Sequence, residues 1–255
     1  MNCYKEFSSI YDRLIYNDID YKKMGKSIIG ICKKYNIQNN DYLDLACGTA
    51  NVTKEVGKNF KNIWAVDLSC DMLGIASDKL REEKIKAKLV CQDMSELNLI
   101  KKFDLITCVL DSTNYITDEN ELENYFKKVH YHLKDNGIFI FDINSYYKIT
   151  EVLGNNIYNY DDEEIVYVWE NILEDDIVTM YLTFFVKEGE LYKRFDEEHE
   201  EKAYSEEFLD NLLNKIGFEI LEKLDNYNDN KISTKTERIV YILRKKISGG
   251  NNNER

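Results

Sequence analysis

Ten residues constrain this chain more than any others: Asp41-Tyr42-Leu43-Asp44-Leu45-Ala46-Cys47-Gly48-Thr49-Ala50, read with Trp64-Ala65-Val66-Asp67 downstream. The first run is a short apolar strand ending in a carboxylate, a tight turn of small residues and a helix start. The second is another apolar strand whose last residue is Asp67, 23 positions after Asp44. A strand, a small-residue turn and a helix, with a strand-terminal acid about 20 residues on, is the layout of a nucleoside-binding α/β crevice. Small residues let backbone N–H groups approach a ligand, and the second carboxylate accepts hydrogen bonds from ribose hydroxyls.

The turn is a particular variant. A dinucleotide site uses G-x-G-x-x-G so that a pyrophosphate can rest against the helix N-terminus. Here only Gly48 is glycine, Ala46 and Ala50 fill the other small positions, and Asp44 stands where it suits a pyrophosphate poorly. That argues against an NAD-dependent oxidoreductase and favours a cationic or amine-bearing ligand. In these residues the chain resembles the class I S-adenosylmethionine (SAM)-dependent methyltransferases. Their first motif, acid-x-Gly-x-Gly-x-Gly, stands here as Asp44-Leu45-Ala46-Cys47-Gly48-Thr49-Ala50, with two glycines replaced by alanine. The resemblance implies that Asp44 helps hold the methionine amino group through backbone or water. It also implies that Ala46, Cys47 and Gly48 back the ligand, and that Asp67 and Leu68 meet the ribose.

Charge and cysteine content narrow the function. The net charge of −13, with no Lys/Arg cluster free of interspersed acid, disfavours nucleic acid, whose phosphates demand a basic surface. No apolar run approaches the ~20 residues of a membrane span. The opening residues, Met1 to Phe7, are polar and mixed and do not read as a signal peptide. Six cysteines form no C-x-x-C pair, so reduced thiols in a cytoplasmic protein are expected, with no disulfide and no metal site. His130 and His132 read as helix-surface residues.

Hydrophobic periodicity supplies the organisation. Tyr4, Phe7, Tyr11 and Tyr16 stud the start, and Tyr21, Met24, Ile28, Cys32 and Tyr35 mark one face of a helix. Strands are expected at 42–46, 62–67, 87–91, 104–110 and 138–142, with helices opening near Asn51, Ser69 and Asp118 and a stop at Asp135-Asn136-Gly137. Within 155–203 the pattern turns β-branched and aromatic at 164–169, 177–186 and 191–195, which reads as antiparallel hairpins. A helix capped by Ser205 and ended by Gly217, then strands at 218–224 and 237–244, restore the first pattern. The expected fold is α/β, a seven-stranded mostly parallel sheet with helices on both faces, plus a small antiparallel β insertion after strand five. Residues 1–150 and 204–247 would form the SAM-binding domain and 151–203 an acceptor lid. The tail from 248 to 255 has no apolar anchor, and disorder is expected there. The resemblance covers nearly the whole chain, and its extra sheet is similar to that of small-molecule members, sugar N-methyltransferases among them, in which it covers the acceptor.

Further site residues follow from the resemblance. Gln92, Asp93 and Met94 resemble the adenine-binding segment; Asp93 also reads as a helix N-cap. Met72 lies where the family packs an apolar side chain on adenine, or is a core methionine. Leu110, Asp111 and Asn114 resemble the fourth motif beside the transferable methyl, with an Asx-turn as the plainer alternative. That segment lacks the acid-or-Asn, Pro-Pro, aromatic tetrad of nucleic-acid base methylases. Tyr11 and Tyr21 resemble lid tyrosines, or pack as core. Tyr11, Asp111 and His199 are the catalytic candidates, His199 as a base or as a solvated histidine among acids. The implied function is SAM-dependent methyl transfer to an N or O atom of a small molecule, releasing S-adenosylhomocysteine (SAH), by a monomer or homodimer. The alternative is a catalytically silent SAM- or nucleoside-binding sensor or partner subunit.

Overall fold

From Tyr21 the chain alternates helix and strand: α1 (Tyr21–Lys34), β1 (Asp41–Leu45), α2 (Asn51–Gly57), β2 (Asn62–Asp67), α3 (Cys70–Glu82), β3 (Ala87–Cys91), β4 (Phe103–Cys108), α4 (Glu119–His132) and β5 (Leu133–Asn144). Four further strands follow: β6 (Ile157–Asp161), β7 (Ile165–Glu174), β8 (Ile177–Glu188) and β9 (Leu191–Lys202). Then α5 (Glu206–Ile216), β10 (Phe218–Asp225) and β11 (Arg238–Lys245) return to the first sheet. The structure, a computed structural model, describes Asp12, residues 19–228 and residues 230–246. Tyr4, Phe7, Tyr11, Tyr16 and the tail from 248 lie outside the described residues.

The main sheet has the order β10-β11-β5-β4-β1-β2-β3. β1 to β5 pair in parallel, and β11 and β10 join antiparallel. Alternate residues of a strand face opposite ways, and the central strands are apolar on both faces because helices cover both. Phe139, Phe141 and Tyr241 pack with Tyr125 and Phe126 of α4 and Leu209 and Leu213 of α5. Ile138, Ile140 and Ile242 pack on the other face with Ile28 of α1 and Val52 and Val56 of α2. Helix starts fall where capping oxygens stand: Ser69 accepts from Met72 N, Asp118 from Asn120 N and Glu121 N, and Ser205 from Phe208 N.

The structure corrects several expectations. Asp135-Asn136-Gly137 is not a gap between helix and strand. β5 already begins at Leu133, and the three residues bulge, so that Phe103 pairs with Leu133 and Leu105 with Ile138. The inserted sheet has the order β6-β7-β8-β9, with β6 unanticipated. β9 runs to Lys202, past the expected end at 195, which puts His199 inside the sheet. Periodicity hid this because β9 turns His199 and Glu201 inward, polar residues at buried positions. His132 is also buried, accepting from Leu99 N at Nε2 (2.9 Å). Among the described residues no helix is long and apolar enough to cross a membrane.

Gly137 fixes the bulge, since a Cβ there would lie 2.9 Å from the carbonyl oxygens of Phe103 and Asp104. Gly137→Ala is expected to cost about 1–3 kcal/mol, the usual range for overpacking. Urea unfolding reads this as a lower midpoint at constant slope; an unchanged midpoint would show that β4 and β5 can part there without cost.

Candidate active site

In sheets of this topology ligands bind outside the carboxyl ends of the strands where the strand order reverses. That point lies between β1 and β4, and the turn after β1 is built for close approach. Ala46, Gly48 and Ala50 have φ of 50°, 52° and 65°, the left-handed region that glycine occupies freely and alanine under strain. Where Gly48 lacks a Cβ, nothing stands within 4 Å. Gly48 N donates to Asp67 Oδ2 (2.7 Å) and Ser69 N to Asp67 Oδ1 (2.8 Å), so Asp67 ties the turn after β1 to the turn after β2. Each oxygen retains acceptor capacity for a further donor. Burial pushes the Asp67 carboxyl up despite those N–H groups.

Asp44 is buried at the end of β1. Its Oδ2 accepts from Thr53 Oγ1 (2.5 Å) and its Oδ1 from Thr107 Oγ1 (2.7 Å). Burial pushes its carboxyl up to about 6, and the threonine hydroxyls counter only part of that. A narrow cleft of about 50 Å³ is lined by Tyr21, Asp44, Ala46, Cys47, Gly48 and Leu110 among others, so six expected residues converge. Asp12 joins it from the N-terminal segment, paired with Lys79 Nζ (2.6 Å) and accepting from Thr49 Oγ1 (2.6 Å) and Asn51 Nδ2 (2.9 Å).

The expected adenine side lies across β2 and β3. Asp93 Oδ1 caps the short turn of helix at Met94–Glu96, accepting from Ser95 N (2.7 Å) and Ser95 Oγ (2.8 Å). Gln92 N donates to Asp67 O (3.0 Å), and the exposed Leu68 stands at the lip. Met94 packs on the core formed with α4. Met72 is buried against Ile165 and Phe184 of the inserted sheet, which carries that sheet to the start of α3. Cys70 and Cys91 are joined in a disulfide, with Cα atoms 5.6 Å apart. That corrects the expectation of reduced thiols, and with it the cysteine argument for a cytoplasmic compartment. Parallel pairing sets Cys91 opposite Asp67, and α3 turns Cys70 back over it, a proximity that a spacing of 21 residues does not announce.

The third wall is the turn after β4. Leu110 and Asp111 both adopt left-handed backbone, φ 60° and 55°. Asp142 of β5, fully buried, holds them there: its carboxylate accepts from Leu110 N (2.9 Å) and Asp111 N (2.8 Å). Tyr227 Oη and Arg238 Nη1 donate to the same carboxylate, and Arg238 Nη2 pairs with Asp111 Oδ1 at 2.6 Å. Asn114 is buried, its amide bonded to Asn144 N, Asn144 O and Lys202 O, which ties β5 to the end of β9. His199 packs edge-on to the Tyr115 ring at 5.9 Å, and burial lowers its pKa to about 4. Asp12, Asp142, Glu201 and Arg238 were not among the sequence candidates. The one available signal was an acid, Asp142, closing the apolar run 138–142.

Comparison with known proteins agrees with this geometry. A methyltransferase-domain family profile matches residues 43–137, from β1 to the glycine of the β5 bulge. The YqeM protein of Bacillus subtilis, which carries a methyltransferase name, is 31 % identical over 246 residues, covering 95 % of this chain and 97 % of its own. A SAM-dependent methyltransferase of known structure from Clostridium acetobutylicum is 55 % identical, with a TM-score of 0.91 over 95 % of this chain and 99 % of its own. Streptomyces venezuelae DesVI shares the fold at 19 % identity, with a TM-score of 0.79 over 94 % of this chain and 98 % of its own. The chain belongs to the SAM-dependent methyltransferases.

Asp44 makes stability depend on pH in a definite direction. Its folded-state pKa, about 6, lies above the 3.8 of an exposed aspartate, so the folded protein keeps a proton that the unfolded chain has lost. The carboxyl therefore costs stability progressively as pH rises through that interval, and the cost is constant above it. Without ligand, the parent should lose stability relative to Asp44→Asn across that window in parallel denaturation series. A difference independent of pH would show that Asp44 titrates as an exposed acid.

Proposed function

We propose that this methyltransferase moves the methyl group of SAM to an N or O atom of a small molecule. The cofactor would lie across the carboxyl ends of β1, β2 and β4, and the β6–β9 sheet would cover the acceptor. The observation that carries this reading is the convergence of Asp44, the left-handed turn through Gly48, and Asp67 on one crevice. Those groups fit a ligand with an ammonium at one end and a ribose in the middle. Asp44 supplies negative charge near the turn, Gly48 an open backbone face, and Asp67 acceptors for two hydroxyls. Asp93 and Gln92 lie next along the strand ends, where an adenine would fall.

When bound, the sulfonium donor supplies an activated methyl carbon with a neutral thioether as its leaving group. The chain's own contribution is then alignment and exclusion of water. Tyr21 and Asp12 close the methionine end, and the Leu110–Asp111 turn faces it from β4. The excess of acid over base is compatible with a cationic cofactor and unsuited to nucleic acid. Relatives matching about half of the chain include an amino-sugar N,N-dimethyltransferase of Streptomyces fradiae (53 %) and a malonyl-acyl-carrier-protein O-methyltransferase of Priestia megaterium (49 %), so both acceptor atoms occur among them.

Calorimetry should detect binding of SAM and SAH, and Asp67→Ala should weaken it by about 1.5–3 kcal/mol, the usual cost of losing a hydrogen bond to a charged group. Equal affinity in the variant would remove Asp67 from the ribose. Incubation of a metabolite extract with methyl-labelled SAM should place label in small molecules. Replacing 158–200 by a Gly-Ser linker should abolish that labelling and leave SAH binding nearly intact. Unchanged labelling after the replacement would sink the lid assignment.

A further inference from the structure

Glu201 is a deeply buried acid that the cofactor reading leaves without a task. It is 3 % exposed, near the end of β9, and its Oε2 accepts from Asn144 Nδ2 (2.7 Å). Among the described residues its Oε1 takes no hydrogen bond, so that oxygen keeps its acceptor capacity for a further donor. Its neighbours come from every element around it. Asp111 projects from the turn after β4 and Asn144 from β5, where Asp142 holds the Asp111 backbone. Lys148, from the turn of π-helix at Lys148–Leu153, donates to Asn144 Oδ1 (2.9 Å). Arg238 of β11 is shared between Asp111 and Asp142. On β9 itself His199 shares the face of Glu201 and is uncharged at neutral pH. Across the ladder on β8 stands the apolar Val178. Once Glu201 is ionised, Asp111, Asp142 and Glu201 face the two cations Arg238 and Lys148, which leaves room for one more positive charge.

The position is as informative as the charge. Leu110 and Ser112, on either side of Asp111, both line the cleft. The charge of Asp111 acts on Tyr21 at the cleft and also on Glu201, so Asp111 couples the two. Burial, reinforced by Asp111, pushes the Glu201 carboxyl up to about 8, against the opposing pull of Asn144, Lys148 and Arg238. The carboxyl therefore holds its proton at neutral pH, and the carboxylate that appears as pH rises through about 8 is a base strong enough to take a proton from an ammonium.

We propose that Glu201, with Asp111 beside it, receives the methyl acceptor as an amine and takes the proton that its nitrogen releases on methylation. This rests on the cofactor placement proposed above. The acceptor nitrogen, uncharged after giving one proton to solvent, forms the new N–C bond. The C–S bond of the sulfonium breaks with its electron pair left on sulfur, and the proton then shed by the methylated ammonium passes to the Glu201 carboxylate at Oε1. With Glu201 ionised, a carboxylate acceptor would meet surplus negative charge and be repelled.

The test uses SAH-loaded protein carrying carboxyl-¹³C glutamate, probed with cyclohexylammonium and cyclohexanecarboxylate, equal in size and opposite in charge. The ammonium should bind at least about tenfold more tightly and shift the Glu201 titration downward. Glu201→Gln should bind SAH like the parent and lose that preference, and Glu201→Asp should keep part of it. With methyl-labelled SAM, pooled primary amines should be labelled in preference to pooled carboxylic acids, at a rate rising with pH through about 8. Glu201→Gln should lower that rate about 100-fold and flatten the profile. With SAH still bound, equal binding of the carboxylate, or a Glu201 signal unmoved by the ammonium, overturns the proposal. Failure of the unaltered protein to bind SAH overturns the cofactor placement instead, and this inference with it.

Discussion

A single buried carboxylate, Asp142, sets the geometry on which the crevice depends. Four donors converge on it: the N–H groups of Leu110 and Asp111, the Tyr227 hydroxyl and the Arg238 guanidinium. A charge buried that deeply is stable only when paired and fully hydrogen-bonded. Those donors come from the turn after β4, the loop after β10 and the start of β11. Satisfying the carboxylate therefore locks three parts of the chain together at the carboxyl end of β5. It also compensates for two consecutive left-handed residues, each of which costs about 1–3 kcal/mol without such support. The strained Leu110–Asp111 turn forms one wall of the cleft, and strain of this kind gathers where a structure holds a ligand.

The opposite wall follows the same logic with different chemistry. The turn after β1 passes through left-handed conformations at Ala46, Gly48 and Ala50, and Asp67 fixes it by accepting from Gly48 N. Asp44 is held by hydroxyls alone, from Thr53 and Thr107. Hydroxyls hydrogen-bond a carboxylate without neutralising it, so Asp44 keeps its capacity to pair with a ligand cation. Across the cleft Arg238 pairs with both Asp111 and Asp142 instead. One side of the crevice is therefore electrostatically open and the other largely closed, save for Glu201.

Much of this was legible in the sequence, for a physical reason. Parallel strands covered on both faces must be apolar throughout, so β1, β2, β4 and most of β5 stand out as runs, and the acids that end β1 and β2 mark the crevice. What escaped was whatever depended on pairing across space. Asp142 looks in sequence like any acid ending a strand, and only the fold brings Arg238 and Tyr227 to it. The second half of β9, past residue 195, escaped because it turns Glu197, His199 and Glu201 toward the interior, against the rule that buried strand faces are apolar. The Cys70–Cys91 pair escaped because the register of β2 on β3, invisible in the chain, is what sets Cys91 beside Asp67.

The central claim is that Asp44, Gly48, Asp67 and the Leu110–Asp111 turn surround one cofactor. A crystal structure of the protein with SAH tests it most directly. The account predicts both ribose hydroxyls on Asp67, the amino group on the Asp44 side of the Gly48 turn, and the sulfur facing Leu110–Asp111. SAH bound elsewhere, or with its ribose away from Asp67, would contradict it.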